Sequence, residues 1–154
     1  MKMNAVRQTI TTLFRYLSKH DYWILALIRL SLGLIFVQTG FGKFTHFPDT
    51  VAFFADLGIP FASANAAIAT TIEFVGGIAL ILGLFTRLFG LALTGVMVVA
   101  IVTAQWANIH SLTDGIMLQE WDYILFFLLL VIRGAGKWSL DERLSRRSTH
   151  DLNN

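Results

Sequence analysis

Lys43, Glu73 and Glu120 are ionisable side chains that fall inside or at the edge of long apolar stretches of this sequence. A carboxylate buried without a partner is strongly unfavourable, so Glu73 must have a cationic partner, hold a proton or reach water. Two carboxylates and one ammonium in a low-dielectric pocket rarely all stay charged, and one carboxyl can then hold a proton. Such a cluster suits proton-coupled chemistry at a small lipid-soluble ligand of the quinone type.

Counting residues along the predicted helices places these three side chains at a similar depth in the membrane. Glu73 precedes Arg87 by 14 residues and Glu120 precedes Arg133 by 13. At 1.5 Å per helical residue, both carboxyls lie about 20 Å above one membrane surface. Lys43 lies at the opposite rim, and its long side chain can reach back toward that level. We therefore predict a polar pocket near the outer face, with an interhelical tie that does no chemistry as the alternative.

The face of the helix that carries Glu73 also carries a stripe of small residues. Membrane helices approach each other along such stripes, so we expect Glu73 to face the bundle rather than lipid. The stripe consists of Ala66, Ala69, Gly76 and Gly83.

Four further residues are secondary candidates for the pocket: Gln38, Trp106, Trp121 and Asp122. Gln38 points away from the helix face that carries Lys43, and Asp122 diverges from Glu120 by about 200°, so only one of these two carboxyls can face inward. The two tryptophans fit the aromatic belts of membrane interfaces. All four histidines lie outside the apolar stretches, so no metal site is predicted, and the pattern assigns no catalytic residue.

The composition is typical of a membrane protein. Of 154 residues, 55% are hydrophobic and only 14% are charged, whereas a soluble domain is about a quarter charged. The chain is therefore expected to be a single membrane domain whose surroundings are lipid, with no nucleic-acid partner. Cysteine is absent, which excludes disulfides, iron–sulfur clusters and thiol redox chemistry carried by this chain.

Four apolar stretches predict an all-α, integral membrane four-transmembrane-helix bundle. They cover residues 23–42, 66–85, 88–106 and 118–133. The fourth is the weakest, because only residues 123–132 are continuously apolar and a span needs about 20 residues.

Positive charges predict the orientation of this bundle. Lysines and arginines concentrate before the first stretch, in the turn after the second and behind the fourth, which places both termini in the cytoplasm. The expected location is the inner membrane of a bacterium, crossed several times. The residues concerned are Lys2, Arg7, Arg15, Lys19, Arg87, Arg133, Lys137, Arg143, Arg146 and Arg147.

The chain divides into a membrane domain and two flanking segments. Residues 1–22 predict an amphipathic helix on the cytoplasmic surface, with a disordered basic tail as the alternative. Residues 23–142 form the membrane domain, and residues 143–154 form a basic and polar cytoplasmic tail.

The loop at residues 44–65 predicts a short helix on the outer surface. Pro48 suits its start, Gly58 its C-cap and Pro60 a stop. Its apolar face would consist of Val51, Phe54 and Leu57, and the helix would cover the bundle like a lid.

Arg29 lies close to the inner surface rather than in the predicted pocket. About 9 Å separate it from the start of the first stretch. We expect a structural role, in which Arg29 either snorkels to the surface or pairs with Asp141 just behind the last stretch.

Four motifs in order and spacing resemble the DoxX family of small four-helix membrane proteins. They are RLSLGLIFVQTGFGKF (29–44), LGIP (57–60), EFVGGIALILGLFTR (73–87) and GAGKWSLDE (134–142), and the resemblance covers about residues 24–142. It implies importance for Lys43, Glu73 and Glu120. It also implies importance for residues that we interpret as structural: Arg29, Gly40, Gly76, Gly77, Arg87 and Asp141. Four further residues belong to the family pattern: Thr86, Gly134, Gly136 and Ser139.

The resemblance implies a membrane subunit of a redox system, since DoxX proteins resemble the membrane subunit of thiosulfate:quinone oxidoreductase. No intrinsic cofactor is expected, and the implied ligand is a quinone. The alternative is a non-catalytic membrane anchor or accessory partner of another enzyme, for instance one that matures an exported peptide. A small-solute or proton transporter is a third interpretation. A partner oxidoreductase or biosynthetic protein, and a homo-oligomer, are the protein partners considered.

Overall fold

The computed structural model describes residues 21–106, 109–136 and 138–142. All regular structure in these residues is helical, which confirms the all-α prediction. The predicted surface helix at the N-terminus and the C-terminal tail lie outside the described residues. The helices are α1 (Asp21–Thr45), α2 (Phe47–Asp56), α3 (Ala62–Leu82), α4 (Thr86–Ala100), α5 (Leu112–Ile116) and α6 (Gln119–Arg133), and a π-helical turn (Ile101–Gln105) continues α4.

Three helical segments in the described part of the chain are long and apolar enough to cross a membrane. They are Tyr22–Thr45, Ala62–Leu82 and Thr86–Gln105, and they correspond to the first three predicted spans. Helix α6 has 15 residues and is about 22 Å long, short of the roughly 20 residues that a span requires. The fourth crossing therefore stays a prediction.

Helices α1 and α3 are in backbone contact through glycines. A Cβ atom on Gly40 would lie 2.6 Å from the backbone nitrogen of Phe74, and one on Gly77 would lie 2.6 Å from the backbone nitrogen of Val37. Real Cβ atoms do not approach a backbone this closely, so both positions require glycine. Gly76 faces the other way, toward the side chain of Leu93 on α4.

Aromatic side chains fill the centre of the bundle between α1 and α6. Phe36 contacts Phe127 edge-on, with 5.0 Å between the ring centroids, and it contacts Tyr123 at 5.3 Å. Large apolar side chains such as Leu27, Leu34 and Leu91 are exposed on the outside of the bundle. This arrangement fits a protein whose outer surface is solvated by lipid.

Helix α2 is the short helix predicted for the loop after α1, and we call it the lid helix. Pro48 occupies its first turn, and Gly58 follows its end with φ +70°. The backbone N–H groups of Gly58 and Ile59 donate to Ala55 and Phe54 at 2.9 and 3.1 Å, which satisfies the last carbonyls. The lid helix packs on α3. We call the end of the bundle that carries the lid helix the lid end.

The opposite end is closed by residues 134–136 and 138–142, which fold against the turn between α3 and α4. The Asp141 carboxylate accepts from the backbone N–H groups of Phe85 and Thr86 at 2.8 and 3.1 Å. The N–H of Asp141 in turn donates to the carbonyl of Gly83 at 3.0 Å. Asp141 therefore caps α4 from a distant part of the chain.

Arg29 is buried at this end and does not snorkel to the surface. Its Nη1 donates to the carbonyl of Ala135 at 2.8 Å and its Nη2 to the carbonyl of Trp138 at 2.9 Å. Asp141 attracts it electrostatically. A Cβ on Gly83 would collide with the Arg29 guanidinium and lie 2.6 Å from Cβ of Ser139.

Removing the remote cap of α4 should lower stability measurably. We expect Asp141→Ala to cost about 1–2 kcal/mol of the free energy of unfolding, because two helix N–H groups lose their acceptor. Asp141→Asn should cost less, since its amide oxygen can still accept. The thermal midpoint of detergent-solubilised protein measures this effect. Asp56→Ala, at an exposed position in the lid helix, is the control, and an equal midpoint for the two alanine variants would contradict the capping role.

Candidate functional site

Lys43 and Glu73 form an ion pair between α1 and α3. Lys43 stands in the last turn of α1, and its Nζ lies 2.5 Å from Oε1 of Glu73. The Glu73 side chain is only 2% exposed, whereas that of Lys43 is 36% exposed. The carboxylate therefore depends on Lys43 for its compensating charge, while the ammonium also reaches the surface.

The second oxygen of this carboxylate lacks a partner. Oε2 of Glu73 is buried and makes no hydrogen bond in the part of the chain that the structure describes. The hydroxyl of Thr70, one helical turn earlier on α3, is likewise buried without a partner there. Buried polar groups in proteins are nearly always hydrogen-bonded, so both atoms need a partner that the described residues do not supply, such as water or a ligand.

Glu73 borders a cavity of about 470 Å³ between the lid helix, α3 and α4, which we call the lid cavity. Most of its wall is apolar, and its polar members in the described residues are Glu73, Asn65 and Thr103. Phe54 and Leu57 of the predicted apolar face contribute to it. The other wall residues are Phe53, Ile59, Ile68, Ala69, Ile72, Ala92, Gly95, Val96, Val99, Ala100 and Ala104.

Glu120 does not share the partner of Glu73. Its Oε1 accepts a hydrogen bond of 3.2 Å from Nε2 of Gln105, at the end of the π-helical turn. Glu120 is not among the residues that line the lid cavity. The structure thus brings Lys43 and Glu73 together and gives Glu120 a separate contact, and the coupling between the two carboxyls stays a prediction.

The secondary candidates lie away from the lid cavity. Gln38 and Asp122 are exposed, and neither borders the cavity. Trp106 and Trp121 line a different, largely apolar recess of about 660 Å³ beside α5. In the same region, hydrogen bonds from the backbone of His110 and from Ser111 hold the pKa of Asp114 below its usual value.

The sequence pattern did not identify Asn65 and Thr103, which line the lid cavity, or Gln105, which contacts Glu120. The Asn65 amide donates to the carbonyl of Pro60 at 2.7 Å and holds the chain where it enters α3. The sequence shows only that Gln105 is a polar residue near the end of a span. No sequence pattern predicts the π-helical turn that directs its side chain. The described residues contain no group of three His, Asp or Glu side chains that would hold a metal ion.

Comparison with known proteins identifies relatives over most of the chain. Residues 24–106 match the family described as DoxX. The chain is 33% identical over 139 residues to an uncharacterized membrane protein of Mycobacterium tuberculosis, covering 79% of this chain and 82% of that protein. It is 34% identical over 127 residues to the inner membrane protein YphA of Escherichia coli, covering 78% of this chain and 89% of YphA.

A shorter similarity connects the chain with a protein named for an activity. It is 34% identical over 79 residues to the Bacillus subtilis protein named "Putative oxidoreductase CatD", covering 51% of this chain and 58% of CatD. No solved structure matches the chain significantly. The family match includes both Lys43 and Glu73 and ends before Glu120.

Proposed function

This chain belongs to the DoxX family of membrane proteins, and we propose that it is the membrane subunit of a redox system that binds a quinone or a similar lipid-soluble molecule in the lid cavity. It is a multi-pass protein of the bacterial inner membrane. The observation that carries the proposal is an apolar cavity with a buried, half-satisfied carboxylate in its wall.

The proposed topology has four spans, with both termini in the cytoplasm and the lid cavity near the outer face. Three segments have the length and composition of spans, and α6 would complete the bundle by packing against α4. Charge supports the orientation, because Arg87 and Arg133 stand at the end opposite the lid helix.

The cavity suits a quinone in size and chemistry. Ligand pockets usually measure about 300–1,000 Å³ and combine apolar walls with a few polar groups, and this cavity of about 470 Å³ has the same character. Its apolar walls would hold the ring and exclude water, while Glu73 would lie beside one edge of the ring. The Lys43 ammonium would keep compensating the charge of the carboxylate.

A partner protein would supply the electrons in this proposal. The chain has no cysteine for an iron–sulfur cluster or a dithiol, and CatD, named as an oxidoreductase, is similar to half of it. When bound, a quinone would accept two electrons and two protons to give its quinol, and a quinol would deliver them. The residues of this chain would bind and orient it, and a partner oxidoreductase would complete the reaction.

Filling the lid cavity should abolish quinone binding. Gly95 borders the cavity, and open space surrounds the position of a Cβ atom there, so Gly95→Leu would insert a side chain without a collision at its base. We expect at least about tenfold weaker binding of a short-chain quinone to purified protein, since overfilling a packed site costs about 1–3 kcal/mol. Equilibrium titration measures the affinity, and mass spectrometry of extracts measures copurified quinone.

Gly42→Leu is the matched control, because a Cβ atom on Gly42 also meets open space but Gly42 lies outside the cavity wall. It should bind quinone like the unchanged protein. The proposal fails if the unchanged protein neither copurifies with a quinone nor binds an added one, and such a result would favour the role of an accessory membrane partner.

A further inference from the structure

One oxygen of the Glu73 carboxylate has no hydrogen-bond partner among the described residues, and Glu73 borders the lid cavity. Oε1 is occupied by the Lys43 ammonium at 2.5 Å, and Oε2 is buried with no partner among the described residues. An ionised carboxylate can only accept hydrogen bonds, and the Glu73 carboxylate forms an ion pair with the Lys43 ammonium. A molecule that satisfies Oε2 must therefore bring a donor.

The remaining polar wall groups use all but one of their side-chain donors elsewhere. The Thr103 hydroxyl donates its hydrogen to the carbonyl of Val99 at 2.8 Å, which leaves its oxygen as an acceptor. The Asn65 amide donates one N–H to the carbonyl of Pro60 and keeps a second N–H and its own oxygen. Helical backbone N–H groups in the wall are committed to their own helices. The wall of the lid cavity therefore offers acceptors in excess of donors.

We propose that the lid cavity selects a lipid-soluble molecule that carries a hydroxyl donor, such as a quinol or an alkylated phenol, and that this hydroxyl donates to Oε2 of Glu73. The inference rests on the proposed function and specifies its ligand. An oxidised quinone has only carbonyl acceptors and leaves Oε2 unsatisfied, so it binds more weakly than the quinol of identical size. The acceptor on Glu73 thereby decides which oxidation state of such a ligand the protein holds.

The experiment compares three probes that share one short alkyl tail: a hydroquinone, its oxidised quinone and its dimethyl ether. Affinities are measured without oxygen on purified full-length protein in lipid nanodiscs. We expect the hydroquinone to bind at least about tenfold more tightly than the other two, since a hydrogen bond to a charged group is stronger than one between neutral groups. In Glu73→Gln the preference should shrink or reverse, because an amide can also donate to a quinone carbonyl.

The outcomes separate this inference from the proposed function. If all three probes bind equally well and Gly95→Leu blocks them all, the cavity is a ligand site but its donor selectivity is refuted, as expected if water satisfies Oε2. If no probe binds, or if Gly95→Leu changes nothing, the proposed function itself is wrong. A preference for the oxidised quinone would overturn the inference directly, and the comparison on unchanged protein stays decisive even if Glu73→Gln fails to fold.

Discussion

Gly40→Val should remove most of the folded protein, whereas Gly42→Val, two residues further along the same helix, should leave the yield near that of the unchanged chain. A Cβ atom on Gly40 would lie 2.6 Å from the nitrogen and 2.8 Å from the Cα of Phe74. These are backbone atoms of α3, so no rotamer change relieves the collision. A Cβ atom on Gly42 meets nothing within 4 Å.

The expected size follows from the helix contact. Forcing α1 and α3 apart costs about 3 kcal/mol or more, the upper end for overpacked sites, and it also displaces Gly33 and Gly77 from the same contact. The yield of monodisperse protein after detergent extraction, together with its thermal midpoint, measures the effect. Equal yields for the Gly40 and Gly42 variants would show that the two helices do not approach at Gly40.

Lys43→Met should destabilise the protein by about 3–5 kcal/mol, which is the usual cost of leaving a buried charge without its partner. The cost is high because the Glu73 side chain is only 2% exposed, so bulk solvent compensates little of its charge. Glu73→Gln should cost clearly less, since the Lys43 side chain is 36% exposed and can be solvated. Denaturant unfolding in detergent measures both differences in the free energy of unfolding.

The double variant Lys43→Met/Glu73→Gln serves as the internal control for this asymmetry. It should be more stable than Lys43→Met alone, and its total cost should be well below the sum of the two single variants, as for residues in direct contact. Additive costs would mean that the ion pair does not form in the membrane protein.

The Lys43–Glu73 pair could be predicted because it depends on regular helices. Depth follows from counting residues at constant rise, and the small-residue stripe indicates which face of α3 turns inward. Both steps work where a helix is continuous, as α1 and α3 are between these residues. The first three spans were predicted from long apolar stretches, and the lid helix was predicted from Pro48, Gly58 and Pro60 at its ends.

The contacts that the sequence did not predict depend on irregular backbone or on backbone atoms. Glu120 contacts Gln105, which ends the π-helical turn after α4, and a pattern of regular helices does not predict where such a turn directs its side chains. Arg29 binds the carbonyls of Ala135 and Trp138, and carbonyl acceptors carry no residue signature. The lid cavity is a gap between elements, and its presence follows from their packing rather than from any single residue pattern.

The π-helical turn at Ile101–Gln105 shifts the angular phase of the third span. Such a turn closes its hydrogen bonds five residues apart instead of four, so side chains beyond it are rotated by about 100° from where an unbroken α-helix would place them. Val99 lines the lid cavity before the shift, and Gln105 meets Glu120 after it. Deleting one residue between Ile101 and Gln105 would remove this turn and leave Gln105 at its present angle, because Gln105 would then take the place that residue 104 has in an unbroken α-helix. A single-residue length change there would therefore convert the end of the third span to α-helix and keep its contact with α6.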